Sequence, residues 1–116
     1  MQDVQVTREK AEEATAFLKT LANENRLMVL CHLAQGEKSV TELENLLGIR
    51  QPNLSQQLAR LRAEGLVTTR RDAKSIYYSL NSAEVALVVQ LLYRLFCARD
   101  TAATIMLTRD FPVTAE

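Results

Sequence analysis

The sequence predicts a mainly α chain with one small β-hairpin, and three observations lead there. Each of the three glycines follows an apolar stretch: Gly36 after residues 27–34, Gly48 after 43–47 and Gly65 after 54–61. Glycine enters the left-handed conformation that closes a helix at little steric cost, so these stretches read as short helices run back to back. Beyond Gly65 the chain turns to β-branched and aromatic residues, VTTRR at 67–71 and SIYYSL at 75–80, which predicts a hairpin closed by Asp72-Ala73-Lys74. Residues 82–99 then return to an almost wholly apolar helical composition. The order is helix, helix, helix, helix, hairpin, helix.

Start signals agree with the stops. A first helix is expected over about residues 7–21. Asn23 is placed to cap the second helix, and Ser39 with Glu42 forms the pattern of a capping box at the third. Pro52 suits the first turn of the fourth helix, where its missing N–H costs nothing. Leu54, Leu58 and Leu61 fall at i, i+4 and i+7, an inward stripe. In the last helix Val85, Leu87, Val88, Val89, Leu91, Leu92, Leu95 and Phe96 cannot all face one small core. A helix apolar on all sides is buried on all sides, and the same helix of a second subunit is the expected cover; wrapping by its own chain is the alternative. Residues 101–107 extend this helix or belong with a loose tail over 100–116.

A chain of 116 residues, 47% hydrophobic and 24% charged, fits one ordinary globular domain spanning 1–116. The longest apolar run, 85–97, is interrupted by Gln90 and Arg94 and is too short for a membrane span. With no basic-then-apolar leader, a cytoplasmic location without a membrane partner is expected. The formal net charge is zero, but it is unevenly spread. Residues 1–49 hold five Lys/Arg against eight Asp/Glu, and residues 81–116 hold three against four. Residues 50–80 hold six Lys/Arg against two Asp/Glu, and for phosphate binding this local excess matters more than the total.

The third and fourth helices, separated by Gly48-Ile49-Arg50, have the spacing of a helix-turn-helix whose second helix enters the DNA major groove. With the leucine stripe turned inward, Gln51, Asn53, Ser55, Gln56, Gln57 and Arg60 are left outward. Amides pair bidentately with adenine, and arginine with guanine or phosphate. Such residues also make plain solvated surface. The basic hairpin tips the balance, because Arg70, Arg71 and Lys74 are placed to hold backbone phosphates beside the reading helix. Together these features predict a winged helix-turn-helix.

The chain resembles the ArsR/SmtB family of small dimeric winged-helix repressors over nearly all of residues 13–98. The resemblance is carried by LKTLANENRL at 18–27, SVTEL at 39–43, QPNLSQQL at 51–58, LRAEGLV at 61–67 and the wing RRDAKSIYY at 70–78. It implies a homodimer formed by the first and last helices (about 7–21 and 82–99) on an imperfect inverted repeat of double-stranded operator DNA. Arg50 departs from the small polar residue common before the Gln-Pro pair, which leaves the capping of the reading helix in question.

Metal sensing is known in this family and needs several soft or imidazole ligands converging at short range. Where the family carries an arsenic-binding cysteine pair this chain has Ser39 and Thr41, and in place of the zinc ligands of the last helix it has Ser82, Glu84, Leu95 and Ala98. The single histidine, His32, reads as a partly buried helix residue, so no metal and no cofactor are expected. Cys31 and Cys97 remain. Each taken alone reads as a small buried hydrophobe. The pairs Leu30-Cys31 and Phe96-Cys97, however, resemble a dithiol subgroup of the family, with a Leu-Cys in the second helix and an aromatic-Cys at the end of the last. That resemblance implies a switch that responds to persulfides, polysulfides or oxidants and releases DNA when the two cysteines are bridged. Arg94, one turn before Cys97, favours a thiolate, whereas the C-terminal ends of the helices disfavour one. A regulator without a thiol inducer stays open beside this reading. A thiol oxidoreductase lacks a Cys-x-x-Cys pair, a cofactor loop and a base network, so no enzymatic activity is expected.

Overall fold

The computed structural model describes residues 5–98. The expected end of the last helix at residue 99 and the expected tail over 100–116 lie outside the described residues. Five α-helices are present: α1 (Arg8–Leu21), α2 (Glu24–Leu33), α3 (Val40–Leu47), α4 (Gln51–Ala63) and α5 (Ala83–Leu92). Three strands accompany them: β1 (Lys38–Ser39), β2 (Val67–Asp72) and β3 (Ser75–Leu80).

Local chemistry accounts for most of the boundaries. Thr7, Asn23 and Ser82 each accept a hydrogen bond from the backbone N–H three residues on, which opens α1, α2 and α5. At α3 the capping box is complete: Ser39 Oγ accepts from the Glu42 N–H at 3.1 Å, and Glu42 Oε1 accepts from the Ser39 N–H at 2.8 Å. Gly48, with φ 68°, closes α3 in the left-handed conformation. The Leu66 N–H donates to the Leu61 carbonyl at 3.0 Å past Gly65, the six-to-one bond of a Schellman close.

The core joins these elements. Leu54, Leu58 and Leu61 of α4 are all buried, as the i, i+4, i+7 stripe requires, and lie in one cluster with Val29, Leu30, Leu43, Val85 and Val89. Each buried leucine or valine contributes about 2 kcal/mol relative to exposure, so this cluster is what holds α4 against α2 and α3.

Three details depart from the sequence expectation. Strand β1 was not expected; it pairs antiparallel with β3, Lys38 opposite Tyr78 and Ser39 opposite Tyr77, giving the order β1-β3-β2. Two residues are too few to show an alternation. The hairpin turn is two residues, not three, because Asp72 still pairs with Ser75; Ala73 takes φ 57° at the corner. Finally, the last helix is not α throughout. It widens after Leu92 into a π-helical turn, Tyr93–Ala98, where Cys97 is exposed and not the small buried hydrophobe that its apolar setting suggests. Among the described residues no helix is long and apolar enough to cross a membrane.

Candidate nucleic-acid interface and thiol pair

Helix α4 packs its leucines inward and presents Gln51, Asn53, Ser55, Gln56 and Arg60 to solvent; Gln57 is half-buried. Several of these side chains are held by neighbours. The Ser55 hydroxyl donates to Gln51 Oε1 at 2.9 Å. Arg26 Nη1 donates to Gln57 Oε1 at 3.5 Å, and Gln57 Nε2 donates to Asn53 Oδ1 at 3.4 Å. Arg60 Nε donates to Glu64 Oε2 at 3.3 Å, which leaves the two terminal nitrogens of its guanidinium for other partners. Arg50 occupies the N-cap position but supplies no side-chain cap.

The wing stands next to this face at one point. The turn residue Lys74 and its neighbour Ile76 line a groove of about 240 Å³ together with Val40, Thr41 and Glu44 of α3 and Gln51 of α4. Arg71 lies opposite Ile76, on the same face of the hairpin as Tyr78 and Leu80, which pack on the core. Arg70 lies opposite Tyr77 on the other face. There it makes a two-pronged ion pair with Glu37, Nε to Oε2 and Nη2 to Oε1, both at 2.8 Å. Its guanidinium carbon sits 4.6 Å from the centre of the Tyr77 ring. The Arg70 bond holds the Glu37 carboxyl below the usual carboxylate range, and Glu37 in turn raises Arg70. The structure thus brings Lys74 and Gln51 together, and places Arg70 and Arg71 apart.

Sequence reasoning missed three of these partners. Arg26 acts on Gln57, 31 positions away, Glu37 on Arg70, 33 away, and Glu64 takes not only Arg60 but also Thr20, 44 away; no local pattern marks these long-range pairs.

Both cysteines are free thiols. Cys31, on α2, is half-buried and lines a cavity of about 280 Å³ between α2 and α5, with Ala34, Gln35, Val89, Gln90, Tyr93 and Arg94 around it. Cys97 is exposed in the π-helical turn. Burial pushes the Cys31 thiol up from its ordinary value, and negative charge on Cys97 pushes it the same way. Charge on one sulfur is therefore felt at the other. Arg94, which the sequence paired with Cys97, lines the Cys31 cavity. His32 is half-buried, and among the described residues no group of three or more His, Cys, Asp or Glu is placed to hold a metal ion.

A helix-turn-helix whose second helix is exposed beside a β-hairpin wing defines the class: a winged helix-turn-helix DNA-binding regulator of transcription. Known proteins narrow this further. Residues 23–69 match the model of the bacterial regulatory protein arsR family. The biofilm growth-associated repressor of Agrobacterium fabrum is 54% identical over 91 residues, 78% of either chain. The transcriptional activator HlyU of Vibrio cholerae is 44% identical over 82% of this chain and 88% of its own. The solved structure of reduced HlyU from Vibrio cholerae N16961 superposes with a TM-score of 0.74, at 46% identity over 78% of this chain and 95% of that one. The repressor BigR from Xylella fastidiosa superposes with a TM-score of 0.73 at 50% identity, covering 81% of this chain and all of that one. This chain belongs to the arsR family of bacterial regulatory proteins. Its relatives are transcriptional regulators and not enzymes.

Proposed function

We propose that this chain is a homodimeric repressor of an inverted-repeat operator, released from DNA when Cys31 and Cys97 become bridged. One observation carries the switch: Cys31 opens on a cavity against α5, and Cys97 follows on the turn that continues α5. A cysteine that served packing alone has no need of that opening. Repression, as opposed to activation, is supported by the repressor names of the Agrobacterium and Xylella relatives.

The DNA reading uses the exposed face of α4. Gln51, Asn53, Ser55, Gln56, Gln57 and Arg60 meet base edges, while Arg71 and Lys74 meet phosphates. Arg70 reaches a phosphate only by leaving Glu37, so in the free protein it braces the wing. The dimer uses α1 and α5: Leu18, Leu87 and Leu91 stand 58%, 68% and 39% exposed on these helices, an apolar surface that a second copy covers.

With an organic trisulfide, RS–S–SR, the switching chemistry closes without another oxidant. The Cys31 thiolate attacks the inner sulfur and one thiolate RS⁻ leaves; the Cys97 thiolate attacks the same sulfur and the second RS⁻ leaves. The pair ends joined through one inserted sulfur, which spans more than a simple disulfide. The bridge draws the end of α5 onto α2 and so changes the dimer helix that sets the two reading heads.

The test uses a duplex selected from a random library by the reduced protein, with affinity followed by fluorescence anisotropy. Wild-type protein treated with an organic trisulfide is expected to lose at least about ten-fold in affinity, equivalent to about 1.4 kcal/mol. Cys31→Ser and Cys97→Ser are expected to bind as tightly as reduced wild type and to ignore the trisulfide. Release by either variant overturns the switch. Equal affinity of reduced and treated wild type supports a regulator without a thiol inducer.

A further inference from the structure

The end of α1 is joined to the reading helix by polar contacts from two directions. Thr20, in the last turn of α1, donates its hydroxyl to Glu64 Oε1 at 2.8 Å, and Glu64 is the residue that ends α4. The same carboxylate receives Arg60 Nε through its other oxygen at 3.3 Å. From α2, Arg26 donates its Nε to the Thr20 carbonyl at 2.7 Å and its Nη2 to the Lys19 carbonyl at 3.4 Å. Its remaining arm, Nη1, reaches Gln57 Oε1 at 3.5 Å. Arg26 is only 9% exposed, the one charged side chain that is buried among the described residues.

This layout has a mechanical meaning. A buried guanidinium on the last carbonyls of α1 satisfies orphan acceptors and complements the negative end of the helix dipole, so it fixes where α1 stops. Gln57 and Glu64 are seven residues apart, about 10 Å along the axis of α4. Two anchor points that far apart fix the direction of a helix, whereas one point leaves it free to pivot. The short bond is at Glu64 and the long one at Gln57, so the Thr20–Glu64 contact is the firmer anchor. A slip of about 1 Å at that end over a 10 Å arm tilts α4 by about 6°. The leucine stripe holds α4 to a core that α1 enters only through Leu21 and the partly buried Phe17, and apolar packing of this kind is not directional.

We propose that Thr20 and Glu64 form a positioning clasp that sets the angle of α4 against α1, and with it the half-site spacing the protein accepts. Because α1 is one of the two helices of the dimer proposed above, on which this inference rests, the clasp refers each reading head to the two-fold axis. Inverted half-sites lie about one helical turn apart, roughly 34 Å, so a small angular error at α1 becomes a register error at the DNA. Neither Thr20 nor Glu64 needs to touch a base. The carboxylate also holds Arg60 through its Nε.

Three duplexes test this: the inverted repeat selected by wild-type protein, the same repeat with one base pair inserted at its centre, and the repeat with one half scrambled. Wild-type protein is expected to prefer the intact repeat strongly over the other two. Thr20→Val, which removes the hydroxyl and keeps the shape, is expected to weaken binding to the intact repeat by about five-fold, the worth of one hydrogen bond. It is expected to leave scrambled-half binding within about two-fold and to shrink the penalty of the inserted base pair by a similar five-fold factor. Thr20→Ser restores the wild-type pattern. The double variant Thr20→Val, Glu64→Ala is expected to show no larger loss of spacing discrimination than either single change. A merely structural role weakens all three duplexes alike. A Thr20→Val protein that melts as wild type does and keeps the full spacing penalty overturns the clasp, as do additive effects in the double variant. Wild-type protein that binds the intact and half-scrambled repeats equally overturns the dimer itself, and the clasp with it.

Discussion

Arg70 and Arg71 are neighbours of the same type, yet the alternation of β2 sends them to opposite faces of the hairpin and into different roles. Arg70 is taken by Glu37 and Tyr77, while Arg71 has no ion pair among the described residues. The lowered Glu37 carboxyl means that this brace is complete above the ordinary carboxylate range and fades only as pH falls through the depressed value. Glu37→Gln is expected to free Arg70 for a phosphate and to steepen the dependence of log affinity on log salt by about 1; an unchanged slope in a salt titration refutes this. The charge excess of residues 50–80 was legible in the sequence, but which of its members was already neutralised was not, because Glu37 is 33 residues from Arg70. Cys31 gives the second case. Its thiol is raised by burial and then by Cys97, so the reactive thiolate is scarce at neutral pH and grows as pH rises past the point where a free thiol is already ionised. Alkylation of Cys31, followed by mass spectrometry, is expected to keep accelerating with pH beyond that of a model thiol. Cys97→Ser removes the opposing charge and is expected to make Cys31 react faster at the same pH.

Among the helices, α4 is the one without a side-chain cap. Thr7, Asn23, Ser39 and Ser82 open the other four, and Arg50 opens α4 with backbone suited to a cap, φ −67° and ψ 150°, but no acceptor to offer. Arg50→Ser is expected to stabilise the fold by about 1 kcal/mol, read as a higher denaturant midpoint at unchanged slope. A loss of stability shows that the arginine holds the helix in some other way. Capping signals were readable because they act within three residues. The short strand β1 and the π-helical turn were not, since the first depends on β3 arriving beside Lys38 and Ser39, and the second leaves no mark in the apolar pattern of 82–98.

At the scale of the whole molecule, the apolar circumference of α5 divides into two parts. Val85 and Val89 enter the core, whereas Leu87 and Leu91 are exposed, as is Leu18 of α1. Leu87→Glu is expected to give a monomer by analytical ultracentrifugation and to weaken operator binding by at least about ten-fold, since only one half-site is then held. A dimer that survives the change places the interface elsewhere. The sequence by itself determined the element order, the helix caps, the leucine stripe of α4 and its amide-rich outer face. All of these follow from interactions between residues a few positions apart, whose geometry the helical and strand periods already fix. Only the tertiary structure decided that Arg70 is braced by Glu37, that Cys31 opens on a cavity against α5, and that Thr20 clasps Glu64. Those contacts join residues 33 to 63 positions apart, and they exist only once the buried leucines and valines have brought α1, α2, α4 and α5 into one core.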